Sequence, residues 1–191
     1  MAVAGILLAA GSARRFGAQK LLHPLANGTP VGVAAAHNLV RGLPGGVAVV
    51  RPGDHDLIAA LSATGLMIVE NPLADQGLGS SLAAGVRATR HAGGWLIALA
   101  DMPWVDPSTI RRLADGLCEG AAMIAPVYHG TRGHPVGFSS SWGERLQQLA
   151  GDEGARGLLT AHPEQLSIET TDDAGVLIDV DHPHDLDQAR E

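Results

Sequence analysis

Short apolar runs that alternate with helical patterns constrain the fold of this chain more than any other feature. The apolar runs cover residues 3–9, 47–51, 66–70, 95–100 and 121–127. Apolar residues recur at helical spacing in residues 30–41, 54–63, 80–91 and 107–119. Pro107 suits a first helical turn after Asp106, a candidate N-cap. Because strands that are apolar on both faces are typical of parallel sheets covered by helices, the pattern predicts an α/β fold with a mostly parallel sheet.

The C-terminal third is less regular. Apolar segments predict short strands at residues 135–138, 166–169 and 176–178. Helical spacing predicts helices at residues 142–150, 154–161 and 183–190. A chain of 191 residues with 46% hydrophobic content can bury one well-formed core. The sequence contains no repeat, low-complexity tract or linker, so we expect one domain that spans residues 1–191.

The charge balance limits the kinds of partner. A net charge of -7 disfavours nucleic acids and anionic membranes, since both attract positively charged surfaces. No apolar stretch reaches the length of a membrane span, and the N-terminus lacks the basic residues of a signal peptide. We therefore expect a cytoplasmic, soluble protein that acts on small molecules. Cys118 is the single cysteine, which excludes an internal disulfide, and its helical pattern predicts a core position.

The loop after the first apolar run is a candidate anion-binding loop. Ligands in such sheets bind beyond the carboxyl ends of the strands. Gly11 and Gly17 permit tight bends, and small residues beside Gly11 let backbone amides approach an anion. Arg15 and Lys20, the sole lysine, add charge that can hold a triphosphate and stabilise departing pyrophosphate. The candidate nucleotide-binding residues of this loop are Leu8, Ala9, Ala10, Gly11, Ser12, Gly17 and Lys20. The alternative is a flexible turn with solvated arginines.

Two common phosphate loops do not match this segment. A P-loop needs Gly-Lys-Ser/Thr, whereas Lys20 follows Gln19 and precedes Leu21. A dinucleotide fingerprint needs G-x-G-x-x-G and an acidic residue after the second strand, where this chain has Arg51. The loop is thus of another kind.

Aspartates follow two further apolar runs. Asp101 directly follows the run 95–100, and Asp179 and Asp181 follow the run 176–178. Because Mg²⁺ takes one or two carboxylates together with phosphate oxygens, Asp101 and one of the two later aspartates are candidate ligands, with Asp181 preferred. Asp101 alternatively caps its turn. We expect Asp185 to serve the first turn of a helix, and His182 and His184 to lie on the surface.

The loop resembles the signature of the nucleotidyltransferase superfamily that includes the molybdenum cofactor nucleotidyltransferases. Gly11, Arg15, Phe16, Gly17 and Lys20 match that signature, whereas Ala13 stands where the family often has serine. The resemblance extends from Ala4 to about Leu186. It implies a Rossmann-like three-layer sandwich of the nucleotide-diphospho-sugar transferase type. It also implies catalytic roles for Arg15, Lys20 and Asp101, with Asp101 as a metal ligand.

Further segments are similar to the cytidylyltransferase branch of that family. One is Gly-Leu-Gly-Ser-Ser-Leu at 77–82, another is Gly-His-Pro at 133–135, and a third is Gly-Asp-Glu-Gly-Ala-Arg at 151–156. Serines near a helix N-terminus can donate to a ribose or phosphate, or can simply cap the helix. The resemblance implies nucleotide contacts by Gly79, Ser80 and Ser81, and acceptor contacts by Arg132, His134 and Arg156. Ala10 favours CTP over GTP.

The function implied is Mg²⁺-dependent transfer of CMP from CTP to the phosphate of molybdopterin. A molybdoenzyme or its chaperone would be a protein partner. Three alternatives remain at this stage. One is the same transfer to a sugar or polyol phosphate, and another is an NAD(P)H-dependent oxidoreductase of the nicotine blue oxidoreductase type. The third is a nucleotide-binding module that delivers a cofactor without catalysis.

Overall fold

The computed structural model describes residues 2–11, 20–152 and 154–190. Eight strands are found in these ranges: β1 Val3–Leu8, β2 Gly46–Val50, β3 Met67–Glu70, β4 Gly94–Leu99, β5 Met123–Tyr128, β6 Thr131–Arg132, β7 Val136–Ser139 and β8 Leu166–Thr170. The α-helices there are α1 Val31–Gly42, α2 His55–Ser62, α3 Leu78–Ala88, α4 Pro107–Cys118, α5 Gly143–Gln147 and α6 Arg156–Ala161. Asp106 caps α4 by accepting the Ser108 N–H, and Pro107 begins that helix, as predicted.

The strands form one mixed sheet in the order β3-β2-β1-β4-β7-β5-β6, with β8 paired to β5. β1 pairs in parallel with β2 and β4, β2 with β3, and β5 with β8. β7 is antiparallel to both β4 and β5, and β6 forms a hairpin with β5. The predicted α/β fold with a mostly parallel sheet is confirmed.

Two apolar clusters cover the two faces of the sheet. Side chains of β1 alternate between them: Leu7 packs with Leu39 of α1 and the residues of α4, whereas Ile6 packs with Leu82 of α3. These four leucine and isoleucine side chains are almost fully buried. Because both faces of the central strands are covered, ligands can reach the sheet at the side where the parallel strands end.

The C-terminal third departs from the prediction at three places. The expected strand at 176–178 is wrong, because Asp173 accepts the Gly175 N–H and turns the chain into a 3-10 helix, Ala174–Leu177. The closing helix is a 3-10 helix, Pro183–Arg190, and the expected helix 142–150 shortens to α5 after a 3-10 turn.

Cys118, which was expected in the core, is exposed, because it ends α4 one position beyond the buried Leu117.

The antiparallel strand β7 is the feature of the sheet that apolar patterning did not predict. It lies between β4 and β5, so the chain reverses through β6 before it enters the middle of the sheet. This reversal carries Arg132 and His134 to the end of the sheet where β1 and β4 terminate, since Ile97 of β4 pairs with Val136 of β7. Among the described residues, no helix has the length and apolar character of a membrane span.

Candidate functional site

Lys20, Asp101 and Asp181 meet beyond the end of β4. The Lys20 Nζ atom donates to Asp101 Oδ2 at 2.8 Å and to Asp181 Oδ1 at 3.4 Å. The Lys20 side chain is 12% exposed, against 27% for Asp101 and 46% for Asp181. The segment before Asp181 is anchored here because Val180 donates its backbone N–H to the carbonyl of Asp101 at 2.9 Å. Three residues predicted separately from the sequence therefore form one cluster.

Burial and the neighbouring carboxylates shift the pKa of Lys20 in opposite directions. Burial lowers the pKa of its ammonium group, because a charged group loses hydration. The carboxylates of Asp101 and Asp181 raise the pKa by a larger amount, so the net shift is upward. Lys20 is consequently a cation at neutral pH, held by two carboxylates.

Asp179 joins the same cluster. Carboxylate oxygens of Asp101, Asp179 and Asp181 lie within 4.8 Å of one another. Burial raises the pKa of Asp179, and the neighbouring Asp181 and Asp101 raise it further. Three carboxylates at this spacing fit a divalent cation that takes part of its coordination shell from phosphate oxygens and water. Both later aspartates therefore stand near Asp101, so the choice between Asp179 and Asp181 as its partner stays open.

Asp185 has the structural role expected of it. Its Oδ2 accepts the backbone N–H groups of Asp181 at 2.9 Å and His182 at 2.7 Å. These two hydrogen bonds hold the pKa of the Asp185 carboxyl below its usual range, and the bond from His182 has the larger effect. Asp185 thereby fixes the backbone that carries Asp181. His182 and His184 are exposed, as predicted.

A polar cavity of about 400 Å³ opens beside the end of β1. Four of the predicted nucleotide-binding residues line it, namely Leu8, Ala10, Gly11 and Ser81. Arg51, Asp75 and Asp152 also line it. Arg51 donates from Nε to the carbonyl of Ala10 at 2.9 Å and from Nη1 to Asp75 Oδ1 at 2.6 Å. The Arg51 side chain thus braces the loop after β1 against the loop after β3.

The pair of serines at the start of α3 is buried, not presented openly to a ligand. Asn71 Nδ2 donates to Ser80 Oγ at 3.0 Å and to Ser81 Oγ at 3.1 Å. Ser80 Oγ in turn donates to the carbonyls of Leu73 at 2.7 Å and Gly77 at 2.9 Å. Ser80 therefore holds the loop together, whereas Ser81 lines the polar cavity. Nucleotide contact by Ser80 stays a prediction.

The glycines of this loop let it lie close to the segment before α6. Gly79 donates its N–H to the carbonyl of Gly151 at 2.8 Å, and Gly151 donates to the carbonyl of Gln76 at 3.0 Å. A Cβ atom on Gly79 would approach the backbone of Ala150 to 2.8 Å. Gly79 thus serves close backbone packing, and its nucleotide contact also stays a prediction.

A second cavity, of about 440 Å³, brings together all three predicted acceptor-binding residues. Arg132 lies on β6, His134 follows it, and Arg156 begins α6. Both arginines are exposed at the cavity. The remaining lining is largely apolar: Leu8, Leu78, Leu82, Ile97, Leu99, Val136, Ala155 and Leu159. The cavity therefore combines an apolar interior with positively charged groups.

His134 is the partly buried polar side chain of this cavity. Its Nδ1 atom is buried and has no hydrogen-bond partner among the described residues. Burial lowers the pKa of the ring and Arg132 lowers it further, whereas the negative charge of Asp101 raises it by a smaller amount. The backbone N–H of His134 donates to the carbonyl of Val176 at 2.9 Å. The cavity is therefore lined by a neutral imidazole besides the two arginines.

The two cavities are neighbours. Leu8 and Leu78 line both of them, so these side chains form the wall between the polar and the apolar cavity. Ala9, a further predicted residue of the loop, is buried at the end of β1, where its N–H donates to the carbonyl of Val49 at 2.8 Å. Ser12, Arg15 and Gly17 lie outside the described residues.

Sequence reasoning missed Asp75 and Asp152 and did not assign Arg51 to the polar cavity. Arg51 directly follows β2, so its place at the carboxyl edge of the sheet was a usable signal. Asp75 lies in a 3-10 helix and Asp152 in a loop, and the path of neither segment follows from local apolar spacing.

Comparisons with known proteins agree with this arrangement. The family described as "MobA-like NTP transferase domain" matches residues 5–166. The purine catabolism protein PucB of Bacillus subtilis is 30% identical, with 97% of this chain and 95% of PucB covered. Nicotine blue oxidoreductase of Paenarthrobacter nicotinovorans is 31% identical, with coverage of 94% and 92%.

Among solved structures, the manganese complex of Rv0371c from Mycobacterium tuberculosis superimposes with a TM-score of 0.80. It is 26% identical, and 98% of this chain and 97% of that chain are covered. The family match includes Lys20, Asp101, Arg132, His134 and Arg156 and ends before Asp179 and Asp181. The chain belongs to the MobA-like NTP transferase family.

Proposed function

We propose that this nucleotidyltransferase transfers CMP from CTP to the phosphate of molybdopterin, with Mg²⁺ and with release of pyrophosphate. One observation supports the proposal most strongly. Arg132, His134 and Arg156 share one cavity, and that cavity adjoins the polar cavity beside the loop after β1 across Leu8 and Leu78. A donor site and an acceptor site for anions are therefore adjacent, as a transfer between two phosphates requires.

The lining of the acceptor cavity favours a compound with a flat ring, whose faces can lie against aliphatic side chains, and with an anionic group. Ligand sites usually combine apolar walls with a few placed polar groups. A sugar or polyol phosphate carries many hydroxyl groups, and the aliphatic wall of this cavity offers few partners for them. A phosphorylated pterin matches better, with its ring against Leu82 and Ile97 and its phosphate toward the arginines.

The chemistry is an in-line displacement. An oxygen of the acceptor phosphate attacks the α-phosphorus of CTP, the bond from that phosphorus to the bridging oxygen breaks, and pyrophosphate leaves with the electron pair. A phosphate nucleophile is already ionised at neutral pH, so the reaction needs no general base. Positioning and charge stabilisation are then the main contributions of the protein.

The residues divide this work. Backbone amides of the loop after β1 hold the triphosphate, and Lys20 and Arg15 stabilise the charge on the leaving pyrophosphate. Arg132 and Arg156 hold the acceptor phosphate, while neutral His134 offers a hydrogen bond at the boundary between the sites. Asp101, with Asp181 or Asp179, would hold Mg²⁺, which when bound neutralises phosphate charge and lines up the reacting oxygens.

The decisive experiment measures pyrophosphate release from CTP, GTP, ATP and UTP, each with Mg²⁺ and with or without molybdopterin. We expect release from CTP that requires both the acceptor and the metal. Release from CTP with a sugar phosphate instead would contradict the acceptor assignment. Preference for GTP would contradict the assignment of the base. Binding of nucleotide without turnover would favour a module that delivers the cofactor to a molybdoenzyme or its chaperone.

A second candidate is NAD(P)H-dependent reduction. It is favoured by the 31% identity to nicotine blue oxidoreductase and by Arg51, which lines the nucleotide cavity where a 2′-phosphate would be read. The existing bonds of Arg51 to Ala10 and Asp75 argue for a bracing role instead. Loss of NADPH absorbance with a quinone-like dye, in the absence of pyrophosphate release, would establish this alternative.

A further inference from the structure

The ammonium group of Lys20 contacts two carboxylates of the candidate metal cluster. It forms a charge-assisted hydrogen bond of 2.8 Å to Asp101 and a longer one of 3.4 Å to Asp181. Both carboxylates belong to the three whose oxygens lie within 4.8 Å of one another. A divalent cation held by this cluster would therefore have to share carboxylates with Lys20.

We propose that Lys20 closes the metal site to a cation until nucleotide phosphates draw the ammonium group away. This inference rests on the proposed function in one respect, that the triphosphate binds at the loop that leads to Lys20. It assigns Lys20 a second role, because the residue then sets the order in which substrate and metal bind, besides stabilising the leaving group.

Electrostatics gives the reason for mutual exclusion. A divalent cation held by Asp101 and Asp181 would stand on the same carboxylates as the ammonium group of Lys20. Two cations on shared carboxylates, in a partly buried site, repel strongly. The ammonium also neutralises part of the negative charge that would otherwise attract the metal.

The side chain of Lys20 has the freedom that the proposal needs. Lysine carries its charge on a flexible four-carbon chain, so the ammonium can move without a change of the backbone. Asp101 is held by the sheet at the end of β4, and Asp181 is held through Asp185. When a triphosphate attracts the ammonium, the carboxylates remain in place with their oxygens exposed to the metal.

Metal binding without nucleotide tests the proposal directly. The dissociation constant of Mn²⁺ is measured by calorimetry and by the electron paramagnetic resonance signal of the free ion, for the wild type and for Lys20→Met and Lys20→Arg. We expect Lys20→Met to bind Mn²⁺ at least about tenfold more tightly than the wild type, because a like charge has been removed. Lys20→Arg keeps the cation and should stay within about threefold of the wild type.

Two controls keep the outcome decisive. Asp101→Asn in the Lys20→Met background should remove the gain, which shows that the metal binds at this cluster. Lys20→Gln replaces Lys20→Met if the latter is less stable by circular dichroism. Equal or weaker Mn²⁺ binding by a folded Lys20→Met or Lys20→Gln protein would overturn the proposal.

The single lysine of the chain offers a second readout. Labelling with [13Cε]lysine gives one side-chain resonance, that of Lys20. We expect metal-free CTP to shift this resonance, and Mg²⁺ alone to leave it in place at concentrations that saturate the CTP complex. A shift with Mg²⁺ alone at those concentrations would contradict the proposal. Neither assay needs the acceptor, so a failure here is distinguishable from a failure of the proposed transfer reaction.

Discussion

At the scale of single residues, the proposed chemistry depends on charged side chains held beyond the ends of strands. Asp101 lies just beyond the end of β4. Lys20 begins a short 3-10 helix, Lys20–Leu22, and its ammonium group donates to Asp101. Neither side chain is needed to fill the core, since both lie outside the apolar clusters. Substitutions here should therefore change activity more than stability.

Lys20→Ala and Asp101→Ala should each lower kcat for pyrophosphate release at least about a hundredfold. The first removes a cation proposed to stabilise negative charge in the transition state, and the second removes a proposed ligand of the metal that would do the same. The measurement is steady-state release at saturating CTP and acceptor. Arg87→Ala, which changes an exposed charge outside both cavities, serves as the control and should keep near-wild-type rates. Near-wild-type kcat in either site variant would remove that residue from the catalytic site.

Arg132→Ala and Arg156→Ala should raise KM for the acceptor about tenfold each, since a hydrogen bond to a charged group is worth at least 1.4 kcal/mol. KM for CTP should change little, because both arginines line the apolar cavity and not the polar one. Arg145, stacked 4.7 Å from the ring centroid of Trp142, provides a matched arginine outside both cavities. If only the KM for CTP increased, the apolar cavity would be the binding site of CTP and not that of the acceptor.

His134 should make stability depend on pH. Burial lowers the pKa of His134 in the folded protein, so below a pH of about 6.5 the unfolded chain binds a proton that the folded chain excludes. The free energy of unfolding should therefore fall between pH 7.5 and pH 5.5. Urea unfolding at both values should show a smaller fall for His134→Gln. The exposed His37→Gln serves as the control, and an equal fall in His134→Gln and wild type would refute the assignment.

The sequence pointed to Asp101 and Lys20 because Asp101 follows β4 and Lys20 follows the loop after β1, and a parallel sheet brings these strand ends together. Asp181 was predicted from an apolar run that is not a strand, and the hydrogen bond from Val180 to the carbonyl of Asp101 holds its segment at the cluster instead. The bond between Arg51 and Asp75 was not predictable in this way, because it depends on the route of a loop between β3 and α3. Local spacing of apolar residues does not specify such routes.

At the scale of elements, the loop between β3 and α3 is the most constrained connection near the site. Gly77 has φ of 100° and ψ of 177°, a conformation that is essentially restricted to glycine. A side chain on Gly77 would also collide with the backbone of Gly151. The close contact joins the wall of the polar cavity to the segment that leads into α6.

Gly77→Ala should consequently lower the free energy of unfolding by at least about 1–3 kcal/mol, through backbone strain and the collision together. Nucleotide affinity should fall as well, because Gly77 and Leu78 line the polar cavity. Gly28→Ala, also at positive φ but facing open space, should cost less and leave nucleotide affinity unchanged. Chemical denaturation and calorimetry with CTP measure the two effects, and equal losses in both variants would leave no role for the contact with Gly151.

Sequence patterning predicted the elements of the first two thirds to within one or two residues at most ends. It was less successful after β5, for an identifiable reason. β7 is antiparallel, and an apolar run does not reveal whether a strand runs parallel or antiparallel to its neighbours. Residues 176–178 are apolar enough for a strand, but the side chain of Asp173 accepts the Gly175 N–H and turns the backbone there. Side-chain capping, which acts over two residues, outweighed the apolar pattern there.

At the scale of the whole molecule, the polar and the apolar cavity lie at one sheet and are separated by Leu8 and Leu78. Because β7 pairs with both β4 and β5, the halves of the sheet are joined by backbone hydrogen bonds instead of by a linker. We therefore predict one cooperative unfolding transition, with coincident curves for circular dichroism and for the fluorescence of the buried Trp95 and Trp142.

Ligands of either cavity should raise the midpoint of that same transition, since each stabilises the folded state. CTP with Mg²⁺ and the acceptor should both shift it, and together they should shift it further. Two separate transitions, each responding to one ligand, would contradict the expectation of one domain.

The position of β7 has a consequence for how such proteins diversify. Arg132, His134 and Arg156 all belong to a single contiguous stretch, 131–156, which also contains Asp152 of the polar cavity. The shorter segment 131–149 contains Arg132 and His134 and none of the residues that line the polar cavity. An exchange of residues 131–149 between relatives should therefore change the groups offered to the acceptor and leave the lining of the polar cavity as it is.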